Sequence, residues 1–163
     1  MTIETLNSLG RSPFVDAIGW VFEHSPWVAQ RAWSKRPFAS PGVLHEVMVQ
    51  QVETAPKEEQ LALLRAHPDL GTRARVSDAS TAEQGGAGLD HLTPEEFEEL
   101  RQLNNEYRIK FGFPFLFAVK GSTKYDILRA LRQRLLSGPE QEYAEALRQV
   151  YRIARFRIEE SIS

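Results

Sequence analysis

The sequence predicts an all-α fold, with about seven or eight helices packed into a single compact domain that spans residues 1–163. Three observations predict it. Serine or threonine followed directly by proline, a pair that commonly opens a helix, recurs along the chain. Between these pairs, apolar residues repeat at spacings of three and four, as they do on one face of a helix. The strict alternation of apolar and polar residues that marks a half-buried strand is absent.

Helix starts and apolar stripes define the elements in chain order. The capping pairs are Ser12-Pro13, Ser25-Pro26, Ser40-Pro41 and Thr93-Pro94, and Glu96 would complete a capping box with Thr93. The stripes that follow are Phe14, Ile18, Val21 and Phe22; Leu44, Val47, Met48 and Val52; Leu61 and Leu64; Phe97, Leu100, Tyr107 and Phe111; and Ile127, Leu128, Leu131 and Leu135. A final helix is predicted from about Glu140 almost to the end of the chain.

Two segments interrupt this pattern. Residues 113–119 (FPFLFAV) resemble a strand, but a lone strand has no partner to pair with. Residues 71–90 contain several glycines and are the least regular part of the chain. Long irregular segments in compact domains are often functional, so this one is a candidate site region.

Composition excludes several classes of function. Apolar residues make up 42% and charged residues 26%, as in ordinary soluble domains. The net charge of −2 gives no basic field for nucleic acid or an anionic membrane, so we expect neither partner. The chain has no cysteine, which excludes disulfides, thiolate zinc sites and cysteine nucleophiles. Its four histidines lack metal-ligand spacing, so no metal site is predicted. No secretory or peroxisomal signal is apparent, and a cytoplasmic location is expected.

His67 stands where a helix has to end. A residue before proline is disfavoured in the helical conformation, so the preceding helix is predicted to stop near Ala66. The carbonyl groups at a helix C-terminus favour a protonated imidazole, and histidine exchanges its proton near neutral pH. His67 is therefore either an acid–base group or simply a good C-terminal cap.

The segment Ser80-Thr81-Ala82-Glu83-Gln84 also has two interpretations. Ser80 and Glu83 have the spacing of a capping box that would open a short helix ending at Gly85-Gly86. Alternatively, the start of this helix presents a carboxylate and an amide to a ligand.

A guanidinium is predicted on the buried side of the last helix. Arg157 falls about 20° from Val150 at roughly 100° per residue, whereas Arg155 falls on the opposite face. An inward arginine needs a carboxylate, because an unpaired buried charge is very costly. The carboxylate belongs either to the protein, in an internal ion pair, or to an acidic substrate that the arginine anchors. Asn104, within an apolar stripe, is interpreted as a structural amide that bonds a loop backbone.

Taken in order, six segments resemble the decarboxylases of uric acid degradation. They are FEHSPWVAQRAW (22–33), RPFAS, AHPDLG, STAEQGGAGL, LNNEYRIKFGFPFLFAVKG and RIARFRI. That family converts 2-oxo-4-hydroxy-4-carboxy-5-ureidoimidazoline (OHCU) into (S)-allantoin. The resemblance extends from about Leu6 to Ile158, and HPDLG, S-x-x-E-Q and KFGFPF in this order are specific as a set.

The resemblance implies an all-helical enzyme that uses no cofactor or metal, binds a small ureide and forms a homodimer. It implies that the catalytic residues are His67, Glu83 and Arg157. RIARFRI holds two arginines, and helical periodicity selects Arg157 over Arg155. The substrate-binding positions implied are Pro68, Ser80, Gln84 and the backbone of Phe115, Leu116, Phe117, Ala118 and Val119.

One alternative belongs to a different functional class. J-domain cochaperones also carry His-Pro-Asp, in a loop between two antiparallel helices, and act as binding modules. A basic helix precedes the tripeptide in those domains, whereas KEEQLALLRA is not basic overall. The sequence therefore favours the enzyme.

Overall fold

The structure is a computed structural model that describes residues 1–71 and 78–163. These residues form nine α-helices and contain no β-strand, which confirms the predicted all-α class. The helices are α1 (Ile3–Asn7), α2 (Arg11–Ile18), α3 (Trp27–Ala32), α4 (Pro41–Glu53), α5 (Lys57–Arg65), α6 (Asp78–Gly86), α7 (Pro94–Phe111), α8 (Lys124–Arg134) and α9 (Pro139–Ser161); 3₁₀ turns lie at Gly19–Val21 and Trp33–Lys35. Within these described ranges, no helix is long and apolar enough to cross a bilayer.

The helices belong to two compact units. The first consists of Met1–Ala66 together with Tyr151–Ser163, and the second is His67–Val150. The single domain expected over residues 1–163 stays a prediction.

The first unit is built around apolar faces of α2, α4, α5 and the end of α9. Its fully buried side chains include Phe14, Ile18, Phe22, Leu44, Met48, Val52, Leu63 and Leu64. The chain ends also lie together here, since Ile3 N–H donates to the Ser163 carbonyl at 2.9 Å and Ser163 N–H donates to that of Met1 at 3.0 Å. This backbone pairing fixes the last turn of α9 within the unit.

Two of the four predicted helix starts are correct. Ser40 Oγ accepts from Val43 N–H at 3.2 Å to open α4, and Thr93 forms the expected capping box with Glu96 at the start of α7. The other two are wrong. Helix α2 begins at Arg11, before Ser12-Pro13, and Ser25 Oγ donates to the Glu23 carbonyl instead of capping α3.

The second unit is centred on Tyr107 of α7. Its ring contacts those of Phe111, Phe113 and Phe115, at centroid distances of 4.6, 6.0 and 5.5 Å. Helix α7 ends at Phe111 and is capped by Gly112, which has a positive φ of 81°. The apolar stripe of this helix begins later than predicted, because Phe97 is 40% exposed. Residues 113–119 then leave α7 as a buried, irregular run without strand pairing.

Candidate active site

His67 directly follows the end of α5. The helix stops at Arg65, and Ala66 is its C-cap, as the proline at position 68 predicts. The imidazole is buried, with 6% of the residue exposed. His67 therefore does not extend the apolar stripe of α5 but opens the loop formed by residues 67–71.

Side chains from two helices hold this loop. Asn104 Nδ2 donates to the Leu70 carbonyl at 2.9 Å, and Gly71 N–H donates to Gln84 Oε1 at 2.9 Å. Arg108 also pairs with Asp69 at 2.8 Å near the surface. The backbone that carries His67 is thus tied to α6 at one point and to α7 at two. Asn104 makes the loop-backbone bond that its position predicted.

Gly71 is needed where it lies. Its φ is +76°, a region that residues with a Cβ rarely adopt, and a Cβ there would lie 2.5 Å from Leu100 Cδ2. The turn after HPDL therefore depends on glycine. The chain then enters residues 72–77, which belong to the predicted site region of residues 71–90 but lie outside the described residues.

Helix α6 carries the next group of predicted site residues on one face. Ser80, Glu83 and Gln84 are spaced three and four apart, so their side chains project from neighbouring turns. Ser80 and Gln84 are buried, whereas Glu83 is partly exposed. The capping-box interpretation of Ser80 is wrong, because α6 begins at Asp78 and Ser80 lies inside the helix. The alternative interpretation, in which this segment presents a carboxylate and an amide to a ligand, stays a prediction.

The backbone of residues 115–119 is fixed from helices α8 and α9. The Leu116 carbonyl accepts from Arg134 Nη1, and Ala118 N–H donates to Gln149 Oε1 at 2.9 Å. The Val119 carbonyl accepts from Ser122 N–H at 2.9 Å. Some of the polar groups that the family resemblance assigns to substrate therefore already have partners within the protein.

Arg157 lies in the first unit and is buried, as helical periodicity predicted. Its Nη2 donates to Glu23 Oε2 at 2.8 Å, and Nη1 donates to the Trp20 carbonyl at 3.2 Å. Only 2% of the arginine side chain is exposed and none of that of Glu23. Arg155, by contrast, is exposed and pairs with Glu159 at 2.9 Å. The inward arginine thus has a protein carboxylate as a partner.

A cavity of about 330 Å³ borders the His67 loop on the α7 side. Asp69, Leu70 and Gly71 of the loop line it, together with Leu100, Asn104 and Arg108 of α7. Its lining does not include His67, Ser80, Glu83 or Gln84. The predicted catalytic side chains therefore do not project into this cavity.

The profile of the OHCU decarboxylase family matches residues 7–159. This chain belongs to that family. It is 46% identical over 160 residues to the 2-oxo-4-hydroxy-4-carboxy-5-ureidoimidazoline decarboxylase of Halalkalicoccus jeotgali, with 98% of this chain and 91% of that protein covered. It is also 46% identical to the decarboxylase of the same name from Haloferax volcanii, over 163 residues that cover 100% of this chain and 97% of that protein.

A solved structure of (S)-allantoin synthase has the same fold, with a TM-score of 0.79 and 32% sequence identity. The match covers 99% of this chain but 54% of that chain, so this protein spans about half the length of the synthase. Membership of the OHCU decarboxylase family confirms the resemblance found in the sequence. It also favours the enzyme over the J-domain alternative.

Sequence reasoning missed several residues that hold the elements of this OHCU decarboxylase family member in place. Glu23 was not identified as the partner of Arg157, and Gln149 and Arg134 were not identified as supports of residues 115–119. Helical periodicity predicts which side chain turns inward but not which distant residue it meets. The signal available was the requirement that buried charges be paired, which implied a carboxylate without locating it.

Proposed function

We propose that this chain decarboxylates OHCU to (S)-allantoin in urate degradation, without a cofactor and with protonation of one face of the ring. Family membership over residues 7–159 supports the reaction. The observation that carries the proposal is the hydrogen bond from Gly71 N–H to Gln84 Oε1. This bond ties the loop that begins at His67 to α6, the helix that bears Ser80, Glu83 and Gln84. The segments that carry an imidazole, a carboxylate and two polar side chains are therefore joined by a hydrogen bond.

The substrate itself supplies the electron sink. Its carboxylate and hydroxyl are on the same carbon, C4, and the neighbouring C5 carries the ureido group and forms a C=N bond. When the bond from C4 to the carboxylate breaks, the electron pair forms a C4=C5 bond and the C=N pair moves to nitrogen, which takes a proton. The C4 hydroxyl then loses its proton to become a carbonyl, while C5 gains a proton. The net reaction releases CO₂ and takes up one proton.

His67 and Glu83 suit the proton transfers. A histidine can accept and return a proton near neutral pH, and we assign it the role of principal acid–base group. Glu83, on the adjacent element, would accept or orient the hydroxyl proton. Delivery of the C5 proton from a fixed group would come from one face only, which accounts for a single enantiomer of the product.

Arg157 is proposed to hold the substrate carboxylate out of the ring plane. Guanidinium groups anchor carboxylates through charge-assisted hydrogen bonds, which is the chemistry that this role of Arg157 requires. Its charge is already balanced by Glu23, and the attraction for substrate would come mainly from directed hydrogen bonds. The ion pair would also hold the guanidinium in one orientation, which favours a precise geometry.

The ring and the ureido group need hydrogen-bonding partners. Ser80, Gln84, Pro68 and the backbone of residues 115–119 are the proposed contacts. Gln84 has one fixed feature here: because Oε1 accepts from Gly71 N–H, its amide group Nε2 is left to act as a donor toward a substrate carbonyl. We further propose that the enzyme is a cytoplasmic homodimer, as the family resemblance implies, and size-exclusion chromatography with light scattering tests the dimer.

The turnover assay tests the reaction. An active chain should accelerate the loss of freshly prepared OHCU above its rate in buffer alone and produce the circular dichroism signal of (S)-allantoin. Loss of OHCU at the buffer rate, or a product without dichroism, would contradict the proposal.

A further inference from the structure

Residues 113–117 contain three phenylalanines whose rings pack on one another or on Tyr107. The rings of Phe115 and Phe117 stack with centroids 6.0 Å apart and planes 16° apart. Phe113 and Phe115 both contact Tyr107. These ring contacts help to hold the run in place.

In a trans peptide group the C=O and the N–H point in opposite directions. The Leu116 carbonyl accepts from Arg134, and Ala118 N–H donates to Gln149 at 2.9 Å. Phe117 N–H shares a peptide group with the Leu116 carbonyl, and the Phe117 carbonyl shares one with Ala118 N–H, so both polar backbone groups of Phe117 point away from these two side chains. The Val119 carbonyl is already used, because it accepts from Ser122 N–H at 2.9 Å.

Arg134 and Gln149 are themselves held in place. Arg134 Nε donates to Glu142 Oε1, which also accepts from the Tyr107 hydroxyl at 2.6 Å, and the guanidinium lies 4.6 Å from the centre of the Phe115 ring. Gln149 is buried, and its Nε2 donates to Glu145 Oε1 at 2.8 Å, which turns Oε1 toward Ala118. Burying such polar groups is costly, and apolar residues of similar size often stabilise a core equally well.

We propose that Arg134 and Gln149 are positioning residues for the substrate-binding run. By bonding the Leu116 carbonyl and Ala118 N–H, they turn the N–H and C=O of Phe117 to the opposite side, where these groups bind substrate. A ring amide of the ureide presents an adjacent N–H and C=O, which complement this acceptor and donor. The inference rests on the proposed function and adds to it which backbone groups bind and which side chains orient them.

The test replaces Gln149 by a residue of similar shape that cannot accept from Ala118. Gln149→Met should raise KM for OHCU about tenfold while kcat stays within about threefold, because a contact made equally with substrate and transition state affects KM alone. Gln141→Met makes the same chemical change at an exposed position of α9 and should leave both constants unchanged. Thermal unfolding of each variant by circular dichroism shows whether the fold is intact.

A paired exchange separates positioning from packing. In the double variant Glu145→Gln with Gln149→Glu, the glutamate at position 149 still accepts from Ala118 N–H, and the glutamine at position 145 now donates to that glutamate. KM should therefore return to within about threefold of the parent value. Arg134→Lys, which keeps the charge but loses the planar fork, should raise KM independently of Gln149. An unchanged KM in the folded variants Gln149→Met and Arg134→Lys would overturn this inference but not the proposed function. The same holds if KM does not recover in the double variant that exchanges residues 145 and 149. A parent chain without turnover would overturn the proposed function and this inference with it.

Discussion

Arg157 and Glu23 form a buried ion pair, with Nη2 and Oε2 separated by 2.8 Å and both side chains almost fully enclosed. The two residues are 134 positions apart in the chain. A pair in such surroundings need not stabilise the fold more than two apolar residues would, but losing one partner leaves an uncompensated charge in the interior. The pair therefore holds the guanidinium of Arg157 in one orientation in the interior.

Breaking this pair on one side should be costly. Arg157→Met should lower the free energy of unfolding by about 3–5 kcal/mol, because Glu23 is left buried without its cation. The double variant Arg157→Met with Glu23→Gln should lose less than the sum of the single changes, by about 2–3 kcal/mol. Urea denaturation of the parent, both single variants and the double variant measures this coupling.

The surface arginine two positions away is the matched control. Arg155 pairs with Glu159 while 67% of its side chain is exposed, so Arg155→Met should cost less than about 1 kcal/mol. Equal losses for the two arginines, or additive effects of Arg157 and Glu23, would contradict the buried pair.

Gly71→Ala should disturb the loop that carries His67. Alanine would be strained at a φ of +76°, and its Cβ would lie 2.5 Å from Leu100 Cδ2. We expect a loss of about 1–3 kcal/mol in unfolding free energy and a lower kcat. Gly86→Ala is the control, because a Cβ there meets nothing within 4 Å, and it should change stability by less than about 1 kcal/mol. Comparable behaviour of the two variants would show that the turn does not require glycine.

Gln84 should separate loop support from substrate binding. Gln84→Glu keeps an acceptor for Gly71 N–H but removes the amide donor, so the melting temperature should stay near that of the parent while KM for OHCU rises. Gln84→Met removes both functions and should lower the melting temperature as well. Identical melting temperatures for the two variants would argue against the bond to Gly71.

Tyr107 should make stability depend on alkaline pH. Burial, and then the bond to Glu142, raise the pKa of this phenol well above its ordinary value of 10.0. The unfolded chain releases the proton near pH 10 while the folded chain retains it. The stabilisation that results is present below pH 10 and is lost as the pH rises above it. The stability advantage of the parent over Tyr107→Phe, measured by urea denaturation, should therefore shrink between pH 9 and 11. A constant difference would contradict the raised pKa.

The sequence predicted the fold class because helices depend on local signals. Ser40, Thr93 and Gly112 each end or begin a helix through contacts within a few residues, and such contacts are visible in a short window of sequence. Where the local signal was ambiguous, prediction failed: Ser25-Pro26 has the residues of a helix start, but the serine bonds the Glu23 carbonyl instead. The exposed Phe97 likewise shows that an apolar residue at the right spacing need not be buried.

The candidate site was predictable only in part. The burial of Arg157 follows from periodicity, and the helix end before His67 follows from Pro68. The partners of these residues depend on tertiary packing, since Glu23, Gln84 and Gln149 each bond groups far from them in sequence. No local pattern specifies such pairs, which is why the supports of residues 67–71 and 115–119 emerged only from the structure.

The central claim is that His67 transfers the protons of the reaction, and one comparison tests it most directly. The rate of (S)-allantoin formation from fresh OHCU, followed by circular dichroism, is measured for the parent, His67→Asn and the control His91→Asn, whose histidine side chain is 83% exposed. We predict that His67→Asn lowers kcat by about 10²–10⁴-fold with an unchanged melting temperature, while His91→Asn matches the parent. Turnover by folded His67→Asn at a rate close to that of the parent would contradict the account.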